Sequence, residues 1–248
     1  MAAEPSLSTE PIVPAPPHPE PHANGMSRRL NWLRAGVLGA DDGILSTAGL
    51  VVGVAGATTA TGPILTAGVA GLVAGAVSMA LGEYVSVSSQ RDSERMLLKR
   101  ERAELEQFPD EEYEELVGLY REKGLSEQTA RTVANELTAN DAFAAHVDAE
   151  LGIDPDALTN PWHAAAASAI AFVSGSLLPL LAILLPPPAA RVPVTFAVVL
   201  LTLAATGVIS AALGGARRGP ATARLVIGGA VAMSVTYGIG QLVGTTLT

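Results

Sequence analysis

No cysteine occurs in the 248 residues, which excludes disulfides and thiolate metal sites. Charge is missing from long tracts: residues 43–82, 161–190, 192–216 and 225–248 contain no Asp, Glu, Lys or Arg. These tracts also lack the period-2 alternation of a membrane barrel and are apolar all round. The first 27 residues lack the basic-then-apolar pattern of a signal peptide and the amphipathic, Arg-rich pattern of a presequence.

What is present is helical and apolar. A hydrocarbon core of about 30 Å needs about 20 apolar residues in helical form. Residues 43–82 are twice that length and carry a turn-like ATTATGP (57–63) at their middle, so they read as a hairpin. Five transmembrane helices are expected, near 32–56, 64–90, 162–186, 192–214 and 224–246. The fold class is thus an all-α integral membrane protein, five spans per subunit, with a small helical domain inserted between spans 2 and 3. Residues 1–27 are rich in Pro and polar side chains and read as a disordered cytoplasmic tail, with His18 and His22 solvated in it. Arg28, Arg29 and Arg34 precede the first span, and Arg217, Arg218 and Arg224 lie between the fourth and fifth. The loop after the third span has only Arg191. This bias places the N-terminus and the segment between spans 2 and 3 in the cytoplasm.

That segment, residues 91–160, holds 18 of the 24 acidic residues and 8 of the 15 basic ones. Its excess of acid argues against nucleic acid and anionic lipid and favours cations. Helix 2 is expected to run on to Gln107 and stop at Pro109. Further helices fit DEEYEELVGLYREK, EQTARTVANELT capped by Ser126, and NDAFAAHVDAEL capped by Asn140 and ended at Gly152. Glu101 and Glu104 share a helix face, as do Glu112 and Glu115, each pair spaced i,i+3. His146 and Glu150 are i,i+4. On adjacent helices these residues fit an oxygen-rich cage for a divalent cation. From spacing alone a solvated acidic surface is the commoner reading.

In an antiparallel hairpin of straight helices, Asp42 and Met79 are equidistant from the turn and share one depth. Glu83 lies one turn nearer the cytoplasm on the face of Met79. Two carboxylates and a thioether suit Fe²⁺ or Mn²⁺ better than Mg²⁺ or Ca²⁺, and an intramembrane acid is a functional candidate by default. A carboxylate at this depth also binds protons. Asp41 points about 100° away from Asp42 and reads as an interfacial acid or a partner of Arg34. Gly49 with Gly53, and Gly71 with Gly75, match small-xxx-small packing. Tyr84 reads as an interface anchor, His163 as interfacial, and Pro179 as a kink in helix 3.

At these residues the chain resembles a family. GADDGILSTAGLVVGVAGA, GLVAGAVSMALGEYVSVSSQRDSE, AHVDAELGI, FVSGSLLPLL and VTYGIGQLVG, in that order, are similar to the vacuolar iron transporter family, including its bacterial members, over about residues 30–244. The resemblance implies a homodimer with the pathway between subunits. It implies movement of Fe²⁺, often Mn²⁺, out of the cytoplasm in exchange for protons, with no prosthetic group and no enzymatic role. It assigns the membrane metal ligands to Asp42 and Met79, and the cytoplasmic ones to Glu101, Glu104, Glu112, Glu115 and Glu150. Where some members carry acids, this chain has Ala35 and Gly71, and Glu83 stands as a substitute at another depth. A cytoplasmic methionine of some members corresponds to His146. A prokaryotic cell membrane is the expected location, with a vacuolar membrane as the alternative. The competing functional reading is a membrane-anchored metal-binding or sensing protein without transport.

Overall fold

The computed structural model describes residues 23–247, with side chains from 36 to 246. Residues 1–22, with His18 and His22, and the side chains of Arg28, Arg29 and Arg34 lie outside the described residues, whereas residues 23–27, expected to belong to the disordered tail, are the first residues of α1. Seven α-helices follow in chain order: α1 (Ala23–Ala57), α2 (Thr61–Gln107), α3 (Pro109–Glu122), α4 (Glu127–His146), α5 (Pro161–Leu184), α6 (Arg191–Leu213) and α7 (Arg218–Leu247). Among the described residues there is no strand. Five of the helices, α1, α2, α5, α6 and α7, are long and apolar enough to cross a membrane.

The membrane bundle is organised around α1 and α5. Helix α1 packs on α2, α5, α6 and α7, and α5 also packs along α2. Its core comprises Ile44, Val51, Val52, Ile64, Leu180, Ile183, Val199, Leu203 and Met233. Helices α1 and α5 meet backbone to backbone. A Cβ at Gly43 would overlap the Phe172 carbonyl, and one at Gly175 would overlap the Ala40 carbonyl. The expected Gly49/Gly53 pair packs on Thr236 of α7, whereas Gly71 and Gly75 receive side chains from Leu50 and Phe172. Helix α5 starts with the Asn160 side chain accepting from the Trp162 N–H, with Pro161 in its first turn. It contains Pro179 in its interior.

The turn between α1 and α2 is held by a residue that the loop charges alone did not single out. Arg191 is buried at the start of α6. Its guanidinium donates to the Thr59 carbonyl at 3.0 Å, the Thr61 hydroxyl at 2.7 Å and the Pro186 carbonyl at 3.3 Å.

Helix α2 is unbroken for 47 residues. At 1.5 Å per residue that is about 70 Å, more than twice a hydrocarbon core. Its charge-free part ends at Gly82, and dense charge begins at Arg91, so the last turns lie outside the membrane-spanning part. Tyr84 and Trp162 meet near this boundary at 4.6 Å between centroids with their planes tilted by 50°, as expected of an interfacial aromatic pair.

The acidic insert has its own small core of Leu116, Val117, Ala130, Ala134 and Ala145. Pro109 opens α3, whose first turn carries Asp110, Glu111 and Glu112 against the helix dipole. The Ser126 side chain caps α4 by accepting from the Thr129 N–H. The two expected helices after it are joined into one element with a kink at Asp141, where φ is −161° and ψ 98°. The cap of the second half is Asp141, whose Oδ1 accepts from the Ala144 N–H at 2.9 Å, rather than Asn140. One turn of π-helix, Val147–Leu151, follows and ends at Gly152 with φ 61°.

Candidate functional site

Two clusters of ligand-bearing side chains emerge. The first lies in the membrane bundle. Asp42 of α1 and Met79 of α2 line one cavity of about 180 Å³, together with Ser46, Thr47, Leu50, Gly71, Gly75, Ser78 and Phe172. Two α2 positions without side chains admit the residues that wall it. A Cβ at Gly75 would overlap the Phe172 ring, and one at Gly71 would overlap Leu50 Cδ2. Asp42 and Ser46 are exposed on the single chain, and the Ser46 hydroxyl donates to the Asp42 carbonyl. Glu83 is half-buried on α2 and is not among the residues lining this cavity. Asp41 turns the other way. It is buried beside Thr206 of α6, and its Oδ1 has no hydrogen-bond partner. The polar lining beyond Asp42 and Met79 was not anticipated. Ser46 is i+4 from Asp42, so helical spacing signalled it, whereas nothing in the sequence signalled Phe172.

The second cluster lies where α2, α3 and α4 converge. Glu101, Glu112 and His146 are 3%, 7% and 1% exposed, and each offers a ligand atom within 4.8 Å of the other two. His146 Nδ1 stands 3.1 Å from Glu101 Oε1 and 3.6 Å from Glu112 Oε2. Burial pulls the His146 imidazole below its ordinary value, toward the neutral form. Burial, then the charges of Glu150 and Glu112, push the Glu101 carboxyl up to about 7. Burial followed by neighbouring carboxylates also raises Glu112 and Glu150. Glu101 and Glu150 share a hydrogen bond that raises the first and lowers the second.

The cage therefore holds more negative charge than it can bury alone. His146 Nδ1 and Glu101 Oε1 are buried, face each other and lack hydrogen-bond partners. A proton or a cation between them removes that penalty. An imidazole nitrogen with two carboxylate oxygens suits a borderline divalent ion. The remaining sequence candidates surround this centre. Glu104 is tied to Arg100 at 2.9 Å, and Glu115 is exposed on α3 but acts electrostatically on Glu112, His146 and Glu150. Glu150 sits on the π-helical turn beside Glu101, and such turns are frequent at functional sites.

Five apolar helices of spanning length define an all-helical integral membrane protein. Over residues 33–241 the sequence matches the VIT family. It is 43% identical over 212 residues to the "Vacuolar iron transporter" of Acanthamoeba castellanii, covering 85% of this chain and 78% of that protein. It is 39% identical over 217 residues to "Vacuolar iron transporter homolog 1" of Oryza sativa subsp. japonica, covering 87% and 75%. The Arabidopsis thaliana protein named "Vacuolar iron transporter homolog 1" is 36% identical over 220 residues, covering 88% and 86%. The chain belongs to the vacuolar iron transporter family, a family of transporters and not of enzymes.

Proposed function

We propose that this protein carries Fe²⁺, and Mn²⁺ as a second substrate, out of the cytoplasm in exchange for protons, and that the acidic insert captures the metal and delivers it to the membrane bundle. The observation that carries the reading is the shared cavity of Asp42 and Met79, a hard and a soft ligand inside an apolar bundle. The relatives named as iron transporters support iron as the substrate. Manganese rests on ligand chemistry, since carboxylate donors suit it. Proton exchange rests on the cost of leaving a membrane carboxylate charged once the metal departs.

A homodimer fits the exposed side of α2. Leu65, Val69, Val73, Val77, Leu81 and Val85 form a continuous i,i+4 ridge open to the outside of the single chain, and Asp42 is exposed as well. We place the N-terminus and residues 91–160 in the cytoplasm on the loop-charge bias. The relatives named for the vacuole support a vacuolar-type membrane, and a prokaryotic cell membrane is the alternative.

Flux of Fe²⁺ or Mn²⁺ into proteoliposomes under a pH gradient tests the proposal. Unchanged flux in both Asp42→Ala and Met79→Ala would falsify the pathway assignment. The buried cage also favours a second reading, a membrane-anchored binding or sensing protein. Metal titration at the cage with no flux under any gradient selects that reading.

A further inference from the structure

The cavity has two unlike ends. Toward the acidic insert its lining is Asp42, Met79 and Ser78, followed by Ser46 and Thr47. Toward the α1–α2 turn, polar side chains give way to the Phe172 ring over Gly75 and then to Leu50. Asp42, Ser46 and Leu50 are spaced by four and share one face of α1. Facing them on the antiparallel α2 are Met79, Gly75 and Gly71. Leu50 fills the space that a side chain at position 71 would take, because a Cβ there would overlap Leu50 Cδ2. One turn further along α2, Leu180 and Val51 fill the space beside Gly68 in the same way.

These apolar residues differ in freedom. Val51 and Leu180 belong to the buried core, whereas Leu50 is 40% exposed on the single chain. Leu50 therefore has rotameric room that the core residues lack. A cation leaving the polar end toward the turn passes the buried Phe172 ring over Gly75 and then meets the Leu50 isobutyl group over Gly71. An apolar constriction blocks ions by excluding their water.

We propose that Leu50, seated on Gly71, is the gate residue that closes the cavity toward the α1–α2 turn. Gly71 is its seat, the position whose missing side chain lets an α1 leucine shut a passage formed with α2. The inference rests on the reading of this cavity as the cation's route.

The absence of cysteine permits a direct test. Ser46→Cys places one thiol in the cavity, and a membrane-impermeant thiol reagent is applied to reconstituted protein from either side. The expected result is labelling from the insert side and protection from the turn side. A closed gate of this kind has an open state populated at roughly 0.1–10%, so adding Leu50→Ala raises turn-side labelling about tenfold or more. Adding Gly71→Leu to that pair supplies the apolar bulk from the opposite wall and restores protection. Leu50→Val carries the same sign with smaller size if the alanine variant does not reach the membrane. Fast turn-side labelling with Leu50 intact, or no change on its removal, overturns the gate. Labelling needs no cation, so absence of metal flux with this labelling pattern intact overturns the route while the gate stands.

Discussion

The membrane cavity and the insert cage draw on overlapping ligand chemistry in opposite surroundings. In the cavity a carboxylate stands amid apolar helices, paired with a thioether and hydroxyls. In the cage several carboxylates crowd an imidazole, and burial raises Glu101 and Glu112 and lowers His146 from their ordinary values. The first arrangement has little charge to hold an ion once it has arrived. The second holds charge that only a proton or a cation relieves. On the proposed function the contrast is that of a passage and a reservoir, and each prediction below separates the two.

The largest expected effect is on the passage. Asp42→Ala lowers metal flux in proteoliposomes by about 100-fold or more, because loss of an outer-shell partner alone costs a metal site 10–100-fold. Calorimetric metal binding to the full protein in detergent retains the cage component in that variant. Loss of both signals would dissolve the distinction.

The converse change strikes the reservoir. Glu101→Ala or His146→Ala lowers metal affinity at the cage by about 10–100-fold or more, read by calorimetry. Replacing Glu101, Glu104, Glu112 and Glu115 together reduces flux at low metal and leaves binding at the Asp42 cavity. Unchanged uptake in that variant counts against a delivery role.

The third prediction is a pH dependence with a definite sign. Glu101 is raised to about 7 and Glu112 and Glu150 are raised as well. The Glu101 contribution to metal-free stability is full below the unfolded carboxyl value and is lost as pH rises through about 7, and those of Glu112 and Glu150 are lost in the same direction as pH rises. His146 is lowered, so its contribution is present above the unfolded imidazole value and is lost as pH falls through the folded one. Metal requires the deprotonated ligands. The shift in thermal midpoint on adding Mn²⁺ is therefore larger at pH 8 than at pH 6, with cage affinity falling up to about tenfold per pH unit for each proton displaced. A pH-independent shift would mean that Glu101 is not a ligand.

The smallest effect marks the boundary of the reservoir. Glu114 makes two hydrogen bonds to Arg131, at 2.6 and 2.7 Å, on the exposed side of the insert. Glu114→Gln leaves calorimetric binding and flux unchanged, since exposed pairs contribute little.

Much of this architecture was legible before the fold. The charge-free tracts located all five spans, and Gln107 and Pro109 marked the end of α2 as observed. The shared depth of Asp42 and Met79 followed from counting away from one turn, because straight antiparallel helices preserve that count. The spacing of Glu101 with Glu104, and of Glu112 with Glu115, fitted a solvated acidic surface as well as a cage and could not say which member faces inward. That depends on how α2, α3 and α4 rotate against one another. The outcome buries Glu101 and Glu112 and leaves Glu115 outside. Asp41 and Arg191 were illegible for a related reason. Their surroundings, Thr206 for one and Thr59 and Thr61 for the other, come from distant parts of the chain.

The continuity of α2 has a mechanical consequence. Met79 and Glu101 ride on one rod, 22 positions or roughly 33 Å apart at 1.5 Å per residue. Pivoting that rod at Met79 by about 5° sweeps Glu101 through roughly 3 Å by the same geometry. That displacement is on the scale of the 3.1 and 3.6 Å gaps between His146 and its two carboxylates. On the proposed function this helix carries one ligand near its middle and one near its end, so a pivot that closes the cage around an ion would also re-aim the wall of the cavity.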